Sequence, residues 1–154
     1  MIKLKQKILF LFLFVFSIYC ALSIGQSWDE EFLINQGRIT LNYLFSLGKI
    51  DIEIELREYY SPIYYTLKFL LSQIFPFSYK IEVSHLINLI FSLSTVIAVK
   101  KLSKELFNES VGNCVFLILF FYPIFFGHMA FNSKDTITAF SHVWIFYLSI
   151  TYLK

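Results

Sequence analysis

Charge is scarce in this chain. Asp, Glu, Lys and Arg make up 16% of its 154 residues, where an ordinary soluble domain carries about 25%. Glycine and proline are scarce as well, at five and three, which excludes collagen-like, low-complexity and disordered classes. Two cysteines in a chain of this length exclude a disulfide scaffold and a Cys-based zinc module. The net charge of +2 comes without a basic cluster on a polar background, so nucleic acid is not an expected partner. What is abundant is apolar: 57% hydrophobic residues, nineteen Phe and a mean hydropathy of +0.65. The expectation is an all-α integral membrane protein.

Four charge-free stretches carry it: Ile8–Ile24, Val83–Val99, Val111–Gly127 and Thr136–Leu153, each of 17 or 18 residues. That is the short end of the ~17–25 needed to cross a hydrocarbon core. In the first, twelve residues are Ile, Leu, Phe or Val. Together they favour the bilayer by about −4 to −7 kcal/mol on the insertion scale. A cleavable signal peptide after Lys3, Lys5 and Lys7, cut near Ser23-Ile24-Gly25, is the alternative; the apolar run is longer than the ~7–15 residues such a peptide uses. Cys20 and Cys114 fall inside spans and carry no information about redox compartment.

Charge sets the expected orientation. Lys3, Lys5, Lys7, Lys100, Lys101, Lys104 and Lys154 fall on one side with only Glu105 and Glu109, while the other side holds nine acids and six cations. The positive-inside rule then puts both termini in the cytoplasm of a cell (inner) membrane protein. A long external loop covers residues 25–82 and a short one 128–135. Pro62–Phe75 is too short to be a fifth span, reaching ~21 Å as a helix. With Lys68 in it, it is expected to lie on the outer membrane surface.

The external loops hold the candidate chemistry. Ser27 and Glu30 have capping-box spacing, Asp29, Glu30 and Glu31 suit a first helical turn, and Gly48 suits a helix end, so a surface helix is expected from about Trp28 to Leu47. Asp51, Glu53 and Glu55 alternate along an extended segment, as a solvated edge or, less simply, a metal site. Asp135 suits the N-cap of the last span, and His128, seven residues earlier, can share a face with it and a divalent metal. His85 and His142 are assigned no chemistry.

The order of these features resembles the N-terminal part of the GT-C glycosyltransferases, particularly bacterial relatives of the protein O-mannosyltransferases. The resemblance rests on Asp29-Glu30 after a first span, Ser61-Pro62-Ile63-Tyr64-Tyr65, the Lys100–Phe107 string, Pro123, and Asn132-Ser133-Lys134-Asp135, which looks like an Asn-Pro-Lys-Asp string with Ser133 in place of Pro. It covers nearly the whole chain but only the first portion of such an enzyme. It implies a GT-C-like N-terminal module: four transmembrane helices, juxtamembrane surface helices in the first external loop, and a single membrane domain over 1–154 that a further chain or a C-terminal part would complete. The implied activity is sugar transfer from a polyprenyl-phosphate donor to an acceptor hydroxyl on the outer face. By family position Asp29 is the general base, Glu30 supports it, and Asp135 positions the acceptor or a metal. Lys134 or Arg57 would stabilise the lipid phosphate. No organic cofactor is called for. The competing readings are a non-catalytic four-span scaffold or assembly subunit, and an inactive truncated product.

Overall fold

The structure, a computed structural model, describes residues 2–49 and 61–154, with side chains from Ile8 onward. The described residues form seven α-helices and no strand: α1 (Ile2–Ser23), α2 (Glu30–Phe45), α3 (Pro62–Ser72), α4 (Lys80–Leu106), α5 (Glu109–Phe121), α6 (Pro123–His128) and α7 (Ser133–Leu153), with one 3-10 turn at Phe77–Tyr79 before α4. Two of the helices are long and apolar enough to cross a membrane, α4 with its preceding turn and α7.

One of the four charge-free stretches does not form a single helix. The stretch Val111–Gly127 is two helices, α5 of 13 residues and α6 of six. The cause is Pro123, which drives the residue before it out of the helical region; Tyr122 has ψ 113°. Thirteen residues rise only ~20 Å.

Helix α4 is the centre of the bundle. Along its length α7 lies parallel to it: Thr136 Oγ1 donates to Asn88 Oδ1 (3.0 Å), Trp144 Nε1 to Ser94 Oγ (3.0 Å) and Lys154 Nζ to Glu105 Oε2 (2.9 Å). Helix α1 runs antiparallel, with the Ala21 carbonyl at His85 and Phe10 under the Lys100 ammonium at 4.7 Å. The start of α1 and the end of α7 therefore lie at one end of the bundle, and the 24–30 and 128–136 segments at the other.

The interior is unusually polar and the exterior unusually apolar. Among the described residues, thirteen of the twenty-nine that are buried are polar or charged, whereas thirty-four large apolar side chains are exposed, along α1 and α7 above all. Helix α3 shows this most sharply. Ile63, Leu67 and Leu70 face outward, while Tyr64, Tyr65, Lys68 and Ser72 are buried. The helix expected over Pro62–Phe75 thus exists, but Lys68 points into the protein rather than out from a surface.

Helix α2 packs on α3 so closely at Gly37 that a Cβ there would collide with the Tyr65 carbonyl oxygen. Its C-terminus closes with a paired-hydrogen-bond cap: Gly48 N donates to Tyr43 O (3.0 Å) and Leu47 N to Leu44 O (3.1 Å), with Leu47 itself at φ 53°. The observed limits, Glu30–Phe45, are two residues inside the expected ones at each end.

Candidate functional site

The loop before α2, the buried face of α3, the first turns of α4 and the start of α7 converge at the end of the bundle away from the termini. Their polar side chains form two connected layers.

The outer layer is the pair Asp29–Lys134. Asp29 Oδ2 and Lys134 Nζ, 105 positions apart, lie 2.7 Å from each other with about a third of each side chain exposed. Burial by itself would raise the Asp29 pKa, but the hydrogen bond and charge of Lys134 outweigh it and hold the carboxyl below its ordinary value. Beside the pair, Asn132 caps α7: its Oδ1 accepts from Asp135 N (3.2 Å) and its Nδ2 donates to Asp135 Oδ2 (2.8 Å). The cap is therefore Asn132, three residues before the expected Asp135, because Asn132 reaches the free N–H groups of the first turn. The Asn132 amide also lies 3.3 Å from His128 Nδ1. It sits between His128 and Asp135, where the sequence admits a metal. No group of three or more His, Cys, Asp or Glu among the described residues is arranged to hold a metal ion.

The inner layer is buried. Glu30 is 1% exposed; its Oε2 accepts from Ser27 N (2.7 Å), the reach-back half of the expected capping box. Its Oε1 lies 2.8 Å from His85 Nε2, and both side chains are wholly buried. His85 Nδ1 faces the Ala21 carbonyl at 3.0 Å. A carbonyl only accepts, so Nδ1 carries a proton. The two groups lie within ion-pair distance of each other and away from water, so each is the main polar neighbour that offsets the other's burial.

Lys68, 2% exposed, donates to Ser133 Oγ at 2.6 Å and lies 5.7 Å from the centre of the Tyr64 ring. Burial lowers its pKa to about 8, against the pull of the Glu30 and Asp29 charges. Tyr64, whose hydroxyl donates to Asn88 Oδ1 (2.7 Å), has its own pKa raised by burial. Asn88 also accepts from Thr136 and donates to the Met129 carbonyl (3.0 Å), which ties α3, α4 and α7 together. A serine beside a lysine of lowered pKa is a nucleophile arrangement in some hydrolases. Here Ser133 is 1% exposed, so no substrate reaches its oxygen.

Of the sequence-predicted residues, Asp29, Glu30, Lys134 and Asp135 all come to this end of the bundle. Asp29 meets Lys134, Glu30 turns inward to His85, and Asp135 is held by Asn132. Arg57 and the Asp51-Glu53-Glu55 segment lie outside the described residues. Sequence reasoning missed His85, Lys68 and Asn88. A signal existed: Ser84, His85, Asn88, Ser92 and Thr95 form a polar stripe at helical spacing in a segment otherwise apolar. Ser133, the departure from the Asn-Pro-Lys-Asp string, supplies a hydroxyl that proline could not give Lys68.

A cavity of about 640 Å³ opens nearby between α2, α3 and α4, with Glu31, Asn35, Arg38 and Lys80 on its wall. Compared with known proteins, the chain matches no family model, no curated protein and no solved structure.

Proposed function

We propose that the chain is a multi-pass membrane protein, with both termini cytoplasmic, that takes part in transferring a sugar from a polyprenyl-phosphate donor to an acceptor hydroxyl. The membrane part rests on α4 and α7 and on the apolar exterior around a polar interior. Trp28, 97% exposed beside Asp29, suits the interfacial depth at which aromatic residues anchor. In this reading α1, α4, the broken pair α5–α6 and α7 are the four membrane segments, and the proline break is eased because Tyr122 N still donates to the Leu119 carbonyl (3.3 Å) and Phe126 N to that of Tyr122 (2.9 Å).

The observation that carries the chemistry is the partly exposed Asp29–Lys134 pair. An acceptor hydroxyl entering the site takes the place of Lys134 at Asp29. As its oxygen attacks the anomeric carbon, its proton passes to the Asp29 carboxylate and the bond from that carbon to the phosphate oxygen breaks. The electron pair stays on the phosphate, and Lys134, released from Asp29, neutralises it. The displacement serves both steps, because the cation that holds Asp29 a weak base moves to the group where negative charge develops. Glu30, through His85 and Ser27, fixes the backbone on which Asp29 stands. Arg38 and Lys80 give the neighbouring cavity an affinity for an anionic headgroup.

The test is Asp29→Asn in the membrane-embedded protein, assayed with a radiolabelled polyprenyl-phosphate sugar. Asn keeps the helix start but cannot accept the proton, so transfer is expected to fall ~10²–10⁴-fold. Transfer at the wild-type rate would favour the scaffold reading, in which Asp29–Lys134 is a structural tie.

A further inference from the structure

The end of the bundle that holds the termini has a second, separate site. Between α1, α4 and α5 runs a groove of about 630 Å³, walled by Leu13, Phe14, Leu93, Ile97 and Phe120. Its size falls in the ~300–1,000 Å³ range of ligand sites. Lys100 and Lys101 stand on its wall among these apolar side chains. We propose that this groove binds one anionic phospholipid, an acyl chain along the apolar wall and the phosphate between Lys100 and Lys101.

The charge pattern selects that occupant. The described residues at this end include Lys100, Lys101, Lys104 and Lys154 against Glu105 and Glu109. Both glutamates are already engaged, Glu109 by Lys104 at 3.2 Å and Glu105 by Lys154 at 2.9 Å. Lys100 and Lys101 have aromatic faces instead of carboxylates: Phe10 and Phe116 lie 4.7 and 5.5 Å from the Lys100 ammonium, Trp144 and Tyr147 5.3 and 5.6 Å from that of Lys101. These rings orient the two ammonium groups without neutralising them. An apolar helix in the groove would leave both charges uncompensated in a low-dielectric setting, and a zwitterionic lipid would bring its own cation alongside them. A phosphodiester with a net negative charge, attached to a chain that fills the groove, satisfies both requirements. The site rests on the membrane reading above but not on the sugar chemistry.

Trp144, against Lys101, is the reporter, once Trp28→Phe removes the other tryptophan. The protein is reconstituted in phosphatidylcholine vesicles containing small fractions of brominated phosphatidylglycerol or brominated phosphatidylcholine, and quenching of Trp144 is followed. The anionic lipid is expected to be preferred about fivefold per lysine, roughly 25-fold for the pair. Lys100→Gln with Lys101→Gln should bring the preference near unity, whereas Lys104→Gln, a single charge loss outside the groove, should leave it. Soluble glycerol phosphate should not relieve the quenching, since it lacks the chain. Equal quenching by the two lipids, an equal loss in Lys104→Gln, or relief by glycerol phosphate would each overturn the proposal while leaving the membrane reading intact. Absence of quenching by either lipid would overturn both.

Discussion

Replacing Glu30 by Gln and by Ala separates a charge requirement from a hydrogen-bonding one. The carboxylate has two neighbours, Ser27 N at 2.7 Å and His85 Nε2 at 2.8 Å, and no water-exposed surface. A glutamine in the same position presents its oxygen to Ser27 N and its NH₂ to His85 Nε2. The histidine, protonated at Nδ1 toward Ala21, then accepts at Nε2 as a neutral ring. Every buried polar group keeps a partner, so the cost is the difference between a charge-assisted and a neutral hydrogen bond, about 1 kcal/mol. Alanine removes both partners. It orphans Ser27 N and His85 Nε2 at about 1–3 kcal/mol each, so the total is roughly 2–6 kcal/mol before any cavity term. Reversible unfolding in mixed micelles, read by circular dichroism against mole fraction of denaturing detergent, measures both. A Glu30→Gln variant as unstable as Glu30→Ala would refute the argument, because it would mean that the site needs the carboxylate itself.

Three further outcomes are expected. Lys68 has a folded pKa of about 8 against 10.5 unfolded, so between those values the unfolded chain binds more protons and stability rises with pH, by about 3 kcal/mol in total at about 1.4 kcal/mol per pH unit; Lys68→Met should flatten that rise in the same micelle titration. Gly37→Ala drives a methyl into the Tyr65 carbonyl and should cost about 1–3 kcal/mol, with loss of protection of the α2–α3 amides in hydrogen exchange; unchanged protection would contradict the close approach. Single cysteines at Trp28 and Phe107, in a background with Cys20 and Cys114 replaced by serine, should differ in intact cells: an impermeant thiol reagent should label the first and not the second, and the reverse would invert the proposed orientation.

Local chemistry was readable in the sequence where it is local in the structure. Ser27 and Glu30 mark the start of α2 and Leu47-Gly48 its end, because caps are made by residues within a turn of each other. Pro62 opens α3 for the same reason. The third charge-free stretch was misjudged as one helix, since a hydropathy count does not register what Pro123 does to Tyr122. Lys68 was assigned to a surface on the rule that charge faces water, yet its neighbours Ser133 and Tyr64 are polar and the outward side of α3 is apolar. Within the candidate site, Asp29, Lys134 and Asp135 were legible as acids and a cation near helix starts. The Glu30–His85 pair, 55 positions apart, was not, because it exists only once α1, α2 and α4 have been packed together.

The polar stripe of α4 has a consequence for how the chain is made. During synthesis α4 emerges after α1 and well before α7. When it leaves the ribosome, the Ala21 carbonyl is already there to receive His85 and the Tyr64 hydroxyl to meet Asn88 Oδ1, but the other partners of Asn88, Thr136 and the Met129 carbonyl, are still inside the exit tunnel. In the membrane reading proposed above, the helix is then exposed unless a membrane chaperone or the insertase shelters it, and a protease that surveys the bilayer for exposed amides will find it. Ribosomes stalled about forty residues past Leu106, with α4 clear of the exit tunnel and α7 still inside, should therefore carry nascent chains that are degraded quickly, and those stalled in a linker of about forty residues fused after Lys154 should not.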